Sequence, residues 1–159
     1  MSSFTLFDSP SAMIYDKEAS VALGKDYWRT AHAFRYYIGA LGSARWVDVP
    51  AGFLSDGASV FFPVNTLIPA WGSYGQATVL HDYLCERYMC TRIRDGVVSV
   101  ETIDRKEIDE IFDEAMKVLG VEKWRHKLIM AGVTAYRLAT NPKRPIVNAL
   151  KWELEKRKF

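Results

Sequence analysis

Cysteine is scarce in this chain: Cys85 and Cys90 are the only two among 159 residues. Disulfide-built secreted mini-domains carry roughly four or more in a shorter chain, so that class is excluded and a reduced, intracellular setting is expected. Long apolar runs are missing as well. No uncharged apolar stretch approaches the roughly 20 residues that a membrane-spanning helix needs. The opening segment, MSSFTLFDSPSAMIYDKEAS, has no basic leader followed by an apolar run, so neither a membrane span nor a signal peptide is expected. There is no excess of one charge sign either, because 21 Lys and Arg face 19 Asp and Glu for a net charge of +2. A protein that coats nucleic acid draws its affinity from many basic contacts, so nucleic acid is not an expected partner.

The chain does hold enough apolar material for a core. Hydrophobic residues make up 49% of it and aromatics 13%, which excludes a disordered chain, and the length suits one domain that folds without staples. The pattern predicts an α+β fold: an N-terminal antiparallel β-hairpin or small sheet, then a bundle of three to four helices. Residues 1–53 read as β-rich, because Phe34 to Ile38 and Ala44 to Val49 flank Gly39-Ala-Leu-Gly42-Ser43 as a hairpin would. Ala12 to Tyr15 and Ser20 to Leu23 are expected as further short strands, with Pro50 to Phe53 ending the sheet. Residues 54–73, rich in small residues and prolines, read as a loop.

Residues 74–140 read as helical. Val79, Leu80, Tyr83, Leu84 and Tyr88 recur at helical spacing, and His81 and Cys85 fall on the face of Leu84. Arg94-Asp95-Gly96 is expected as a turn in a polar excursion between helices. Thr102 or Asp104 can cap a second helix, whose stripe is Ile108, Ile111, Phe112, Ala115, Met116 and Leu119 before Gly120. Residues 122–139 form a third, closed by Asn141-Pro142, and 146–158 read as a short C-terminal helix.

The candidate chemistry centres on His81 and Asp82. Neighbours on a helix point about 100° apart, so the two take different roles. Asp109, on the apolar flank of the next helix, needs a partner if buried, and His81 is the natural one. Such a pair either orients an imidazole to take a proton from water or ties two helices together. Asp82 faces an open edge where it can ligate a hard cation, calcium or another divalent ion, with Asp56 as a second ligand. Gly57 and Ser59, beside Asp56, and Tyr83 are candidate contacts for a substrate. His81, Cys85, Cys90 and His126 do not match a zinc spacing, and two core thiols account better for the cysteines.

Val49-Pro-Ala-Gly-Phe53, Asp56-Gly-Ala-Ser59, Trp71-Gly, Leu80-His-Asp-Tyr-Leu84, and Arg105 with Asp109, Phe112 and Met116 follow one another in an order that resembles a phage and prophage family, domain of unknown function 1353. The resemblance spans roughly residues 34–120. It implies a phage or prophage origin, a location in host cytoplasm or virion, and partners among other virion proteins or a host protein; it implies no activity. His-Asp on one helix and Asp-x-x-Phe-x-x-x-Met on the next is also similar to calcium-dependent secreted phospholipases. That likeness implies His81 as base, Asp82 as calcium ligand and Asp109 as the orienting carboxylate. Cys85 stands where those enzymes carry a tyrosine, and two cysteines cannot supply their disulfides. Three functions follow as expectations: a phage-encoded hydrolase using the His81–Asp109 pair, a non-enzymatic virion or assembly component, and an inhibitor that binds a host defence protein.

Overall fold

A computed structural model describes residues 6–57, 68–69 and 71–157. Strand β1 (Met13–Tyr15) leads into helix α1 (Lys17–Leu23), followed by β2 (Trp28–Thr30), β3 (Phe34–Tyr37), β4 (Arg45–Val49) and β5 (Leu54–Ser55). Helix α2 (Gly75–Arg87), β6 (Met89–Arg94), β7 (Val97–Thr102), α3 (Arg105–Val118), α4 (Lys123–Thr140) and α5 (Ala149–Glu155) complete the order. The fold is mixed α and β, with two antiparallel sheets ordered β1-β2-β5 and β3-β4-β6-β7.

The expected hairpin is present, with Phe34 opposite Val49 and Tyr36 opposite Val47. The alternation along β3 buries Phe34 and Tyr36 against the helices and leaves Arg35 outside, where it pairs with Asp48. Three expectations need correction. Ser20–Leu23 is helical, because Asp16 accepts a hydrogen bond from the Ala19 N–H and Gly24 takes the left-handed conformation beyond the last turn. Those two residues are helix start and stop signals as well as turn formers. The sheet does not end at Phe53, since β5 pairs with β2. Residues 74–140 are not continuously helical, because β6 and β7 form a hairpin around Asp95-Gly96, both at positive φ as a tight two-residue turn requires. That hairpin extends the β3–β4 sheet. The expected loop is therefore described only at its ends, and Ser59 lies outside the described residues.

Helix α3 packs between α2 and α4. Asp104 is its cap, accepting from the Glu107 N–H at 2.8 Å, and Ile108, Ile111, Phe112, Ala115 and Met116 are buried as the stripe requires. Leu80 and Leu84 meet them from α2, while the sheet adds Phe34, Tyr36, Val47 and Val49 to the same core. A smaller core joins Ala19 of α1, Tyr27, Leu54 of β5 and Leu154 of α5. No helix among the described residues is long and apolar enough to cross a membrane.

Buried Arg29 of β2 locks that smaller core. Its guanidinium pairs with Asp16 at 2.8 Å and donates to the carbonyls of Gly52 and Leu154, both at 3.0 Å. Truncating it takes the cation from the partly buried Asp16 carboxylate and one donor from each of two carbonyls, so Arg29→Ala is expected to cost about 3 kcal/mol. Urea unfolding checks this value.

Candidate functional site

Helix α2 begins just past the tight packing of Gly75 against the Trp71 ring and carries His81 and Asp82 in its middle. The stripe of α3 sets Asp109 facing α2, and the residue is only 2% exposed. Three donors reach it. His81 Nε2 lies 2.8 Å from Oδ1, Arg105 Nε donates to Oδ1 at 3.1 Å, and Arg137 Nε of α4 donates to Oδ2 at 2.9 Å. The His81 ring stacks on Phe112, with centroids 4.5 Å apart.

The electrostatics follow from these contacts. Burial would raise the carboxyl of Asp109, but hydrogen bonds from His81 and Arg105 and the charge of Arg105 override it and hold the group below its ordinary value. Burial pushes His81 the other way from Asp109's attraction and prevails, so the imidazole sits below its usual 6.5 and is neutral at pH 7. A neutral imidazole beside an ionised carboxylate donates from Nε2, which leaves Nδ1 as the basic atom. The Cys85 sulfur lies 3.8 Å from both ring nitrogens. Burial drives its thiol up to about 12, so it is protonated, and a Cys–His nucleophile is not set up.

His81 and Asp82 both line a cavity of about 490 Å³. Its lining includes the apolar Phe112, Ile129 and Val133, the polar Lys25, Asp56, Asn148 and Lys151, and Gly57. The cavity thus brings together five of the sequence candidates, His81, Asp82, Asp56, Gly57 and, behind His81, Asp109. Tyr83 is elsewhere: it packs edge-on against Phe53 beneath the Arg87 guanidinium and lines a shallower hollow with Asp8 and Arg35.

The carboxylates in the cavity are already engaged. Lys25 pairs with Asp56, and Ser55 Oγ donates to Asp82 Oδ2 at 2.6 Å. Burial, then the charge of Asp56, raises the Asp82 carboxyl to about 8, against the lowering effect of Ser55. The described residues hold no group of three or more His, Cys, Asp or Glu that could bind a metal ion. His126 pairs instead with Asp113 at 2.5 Å, and Cys90 lies beside Arg45. Asp82 and Asp56, the two carboxylates expected to ligate a cation, thus meet Ser55 and Lys25.

Four contributors escaped the sequence reading: Ser55, Arg137, Lys25 and Lys151. Lys151 is buried on α5 between Glu86 and Glu155, with its ammonium 4.2 Å from the Phe53 ring centroid. The i, i+4 spacing of Lys151 and Glu155 signalled a pair, but nothing local signalled Glu86.

The family model described as "Protein of unknown function (DUF1353)" matches residues 28–133, which include His81, Asp82, Arg105 and Asp109 but neither Arg137 nor α5. No curated protein and no solved structure matches the chain.

The His81 shift has a definite sign. Its folded value is depressed, so the unfolded chain binds the extra proton, and stability is present above about pH 6.5 and lost as the pH falls through the folded value. His81→Gln keeps a donor for Asp109 and cannot titrate. Unfolding midpoints followed downward from pH 6.5 are expected to fall less steeply in this variant than in the wild type.

Proposed function

Because the chain belongs to the DUF1353 family, whose description carries no activity, we propose from the site alone that it is a small hydrolase in which His81 is the general base. One observation carries the reading: an imidazole whose Nε2 lies 2.8 Å from a buried carboxylate stands in the wall of a cavity of about 490 Å³. Such an imidazole takes a proton from a cavity water while the water oxygen attacks the substrate. Asp109 fixes the tautomer beforehand and stabilises the imidazolium as it forms. Arg105 and Arg137 share that carboxylate's charge, which keeps it ionised and moderates its pull on His81.

The lining favours an acyl substrate. Phe112, Ile129 and Val133 suit a hydrocarbon portion, while Asn148 and the Lys25–Asp56 pair suit a polar end. The phage or prophage setting belongs to the same proposal, with host cytoplasm or virion as the place of action.

The test is hydrolysis of p-nitrophenyl butyrate and bis(p-nitrophenyl) phosphate by the full-length protein. The ester is the expected substrate. His81→Gln is expected to lower its turnover about 100-fold or more, the range of general-base catalysis, with no change in the wild-type rate on adding EDTA. Equal rates for wild type and a folded His81→Gln protein would contradict the proposal.

A second reading, a non-enzymatic virion or assembly component, is favoured by one different feature. Strand β7 is the edge of its sheet, and Val97, Val98 and Val100 on it are 65%, 59% and 68% exposed. An apolar edge of this kind invites pairing with another chain. Stoichiometric presence of the protein in purified phage particles, without turnover of either ester, is the outcome that would select this reading.

A further inference from the structure

We propose that Asp82 serves the cavity as a neutral carboxylic acid that protonates the leaving group, and that the substrate is accordingly an acyl compound with a poor leaving group, an alkyl ester or an amide. This deepens the hydrolase reading and rests on it.

The geometry supplies the argument. Asp82 is the next residue after His81 on α2, so the two side chains diverge by about 100° yet both reach the same cavity. A base and an acid on one cavity can serve the two proton transfers of acyl transfer to water. Ser55 Oγ, which itself accepts from the Gly57 N–H at 3.2 Å, donates to Oδ2. Among the described residues no hydrogen bond is made to Oδ1, which is left as the oxygen to carry a transferable proton.

The surrounding charges favour the protonated form. From α1–β2 come Lys25, committed to Asp56, and Tyr27; from β5 and the residue after it come Ser55 and Asp56. From α2 comes Glu86, and from α5 Lys151, which is clasped by Glu86 and by Glu155 at 2.7 Å. Each nearby cation thus has its own carboxylate, and Asp82 has none of them as a direct ion-pair partner among the described residues. With His81 depressed and Asp82 raised, the ordinary order of the two groups is inverted at pH 7: the imidazole is free of its second proton and the carboxyl holds one. A metal-ligand role would require the opposite state of Asp82.

The reaction then balances without a co-reactant. His81 Nδ1 takes a proton from water as the water oxygen bonds to the acyl carbon and the carbonyl π pair moves to its oxygen. When that pair returns, the bond from carbon to the leaving oxygen or nitrogen breaks and its electrons stay on the leaving atom, which takes the proton from Asp82 Oδ1. The imidazolium and the Asp82 carboxylate are restored by passage of one proton from the first to the second through cavity water. Water and ester are consumed; acid and alcohol are released.

Two measurements on the full-length protein test this. First, urea unfolding of wild type and Asp82→Asn is compared between about pH 6.5 and about pH 8. A carboxyl protonated only in the folded state gives stability that is fully present below its unfolded value and lost as the pH rises through the folded one. The wild-type folding constant is expected to drop by up to about tenfold per pH unit across this window, and Asp82→Asn to lack that component. Parallel slopes overturn the proposal. If Asp82→Asn does not fold, infrared spectra of the wild type decide: a protonated-carboxyl band present at pH 7 and lost toward pH 9 supports it, and no band at pH 7 overturns it. Second, ethyl butyrate and p-nitrophenyl butyrate are compared as substrates. Asp82→Asn is expected to lower kcat/KM for the ethyl ester about 100-fold or more, and at least about tenfold more than for the p-nitrophenyl ester, whose leaving group needs little protonation. Equal losses overturn the donor role. Hydrolysis without the stability slope defeats the Asp82 proposal and leaves the His81 reading standing. The slope without turnover of either ester defeats the hydrolase reading, and the donor role falls with it.

Discussion

Asp109 is a carboxylate almost withdrawn from water, and the arrangement of the three central helices depends on how it is satisfied. An isolated buried carboxylate costs several kcal/mol, so it persists only where donors converge on it. Here they come from three helices: His81 from α2, Arg105 one turn earlier on α3, and Arg137 from α4. Any rotation of α2 or α4 about its axis would strand one of those donors or leave an oxygen of Asp109 unpaired. The apolar stripe of α3 brings the helices together; the carboxylate sets their rotation. Hydrophobic packing tolerates small slips that a hydrogen-bonded charge does not.

The same bonds give the cavity its chemistry. Asp109 is held below the ordinary carboxyl value and His81 below its own, so a neutral ring that donates from Nε2 keeps its lone pair on Nδ1, beside the Cys85 sulfur at 3.8 Å. The smaller core supports Asp82. Glu155 of α5 accepts from the Leu54 N–H at 3.2 Å, which holds β5 in place and with it Ser55, whose hydroxyl donates to Asp82. Arg29 holds the end of α5 through the Leu154 carbonyl. The C-terminal helix therefore acts on the site through two intermediates, and it lies beyond the stretch that the family model matches.

Much of this was legible in sequence wherever a local rule carried the information. The stripe of α3 was readable from spacing, its cap was narrowed to Thr102 or Asp104, and the argument that Asp109 on its flank would need a partner such as His81 was readable too. The β3–β4 hairpin was readable from its two apolar runs. What failed did so for identifiable reasons. Asp16 and Gly24 are good turn residues and equally good helix boundaries, so α1 read as a strand. Asp95-Gly96 was taken as a break between helices, although the β-branched residues on either side, Thr91, Ile93, Val97, Val98 and Val100, favour a hairpin. Ser55, Arg137 and Lys151 were silent because their roles arise from contacts across 27, 28 and 65 positions of sequence. The aspartates illustrate a subtler limit. Their residue type suggested a cation site, but the sequence does not display the lysine that pairs with Asp56 or the burial that raises the carboxyl of Asp82.

The central claim is that His81 is a neutral base whose proton is fixed on Nε2 by Asp109. Nitrogen-15 chemical shifts of the His81 ring at pH 7 test it directly. A pyrrole-type Nε2 with a pyridine-type Nδ1 is the result this account requires; a proton on Nδ1, or an imidazolium signature on both nitrogens, would contradict it.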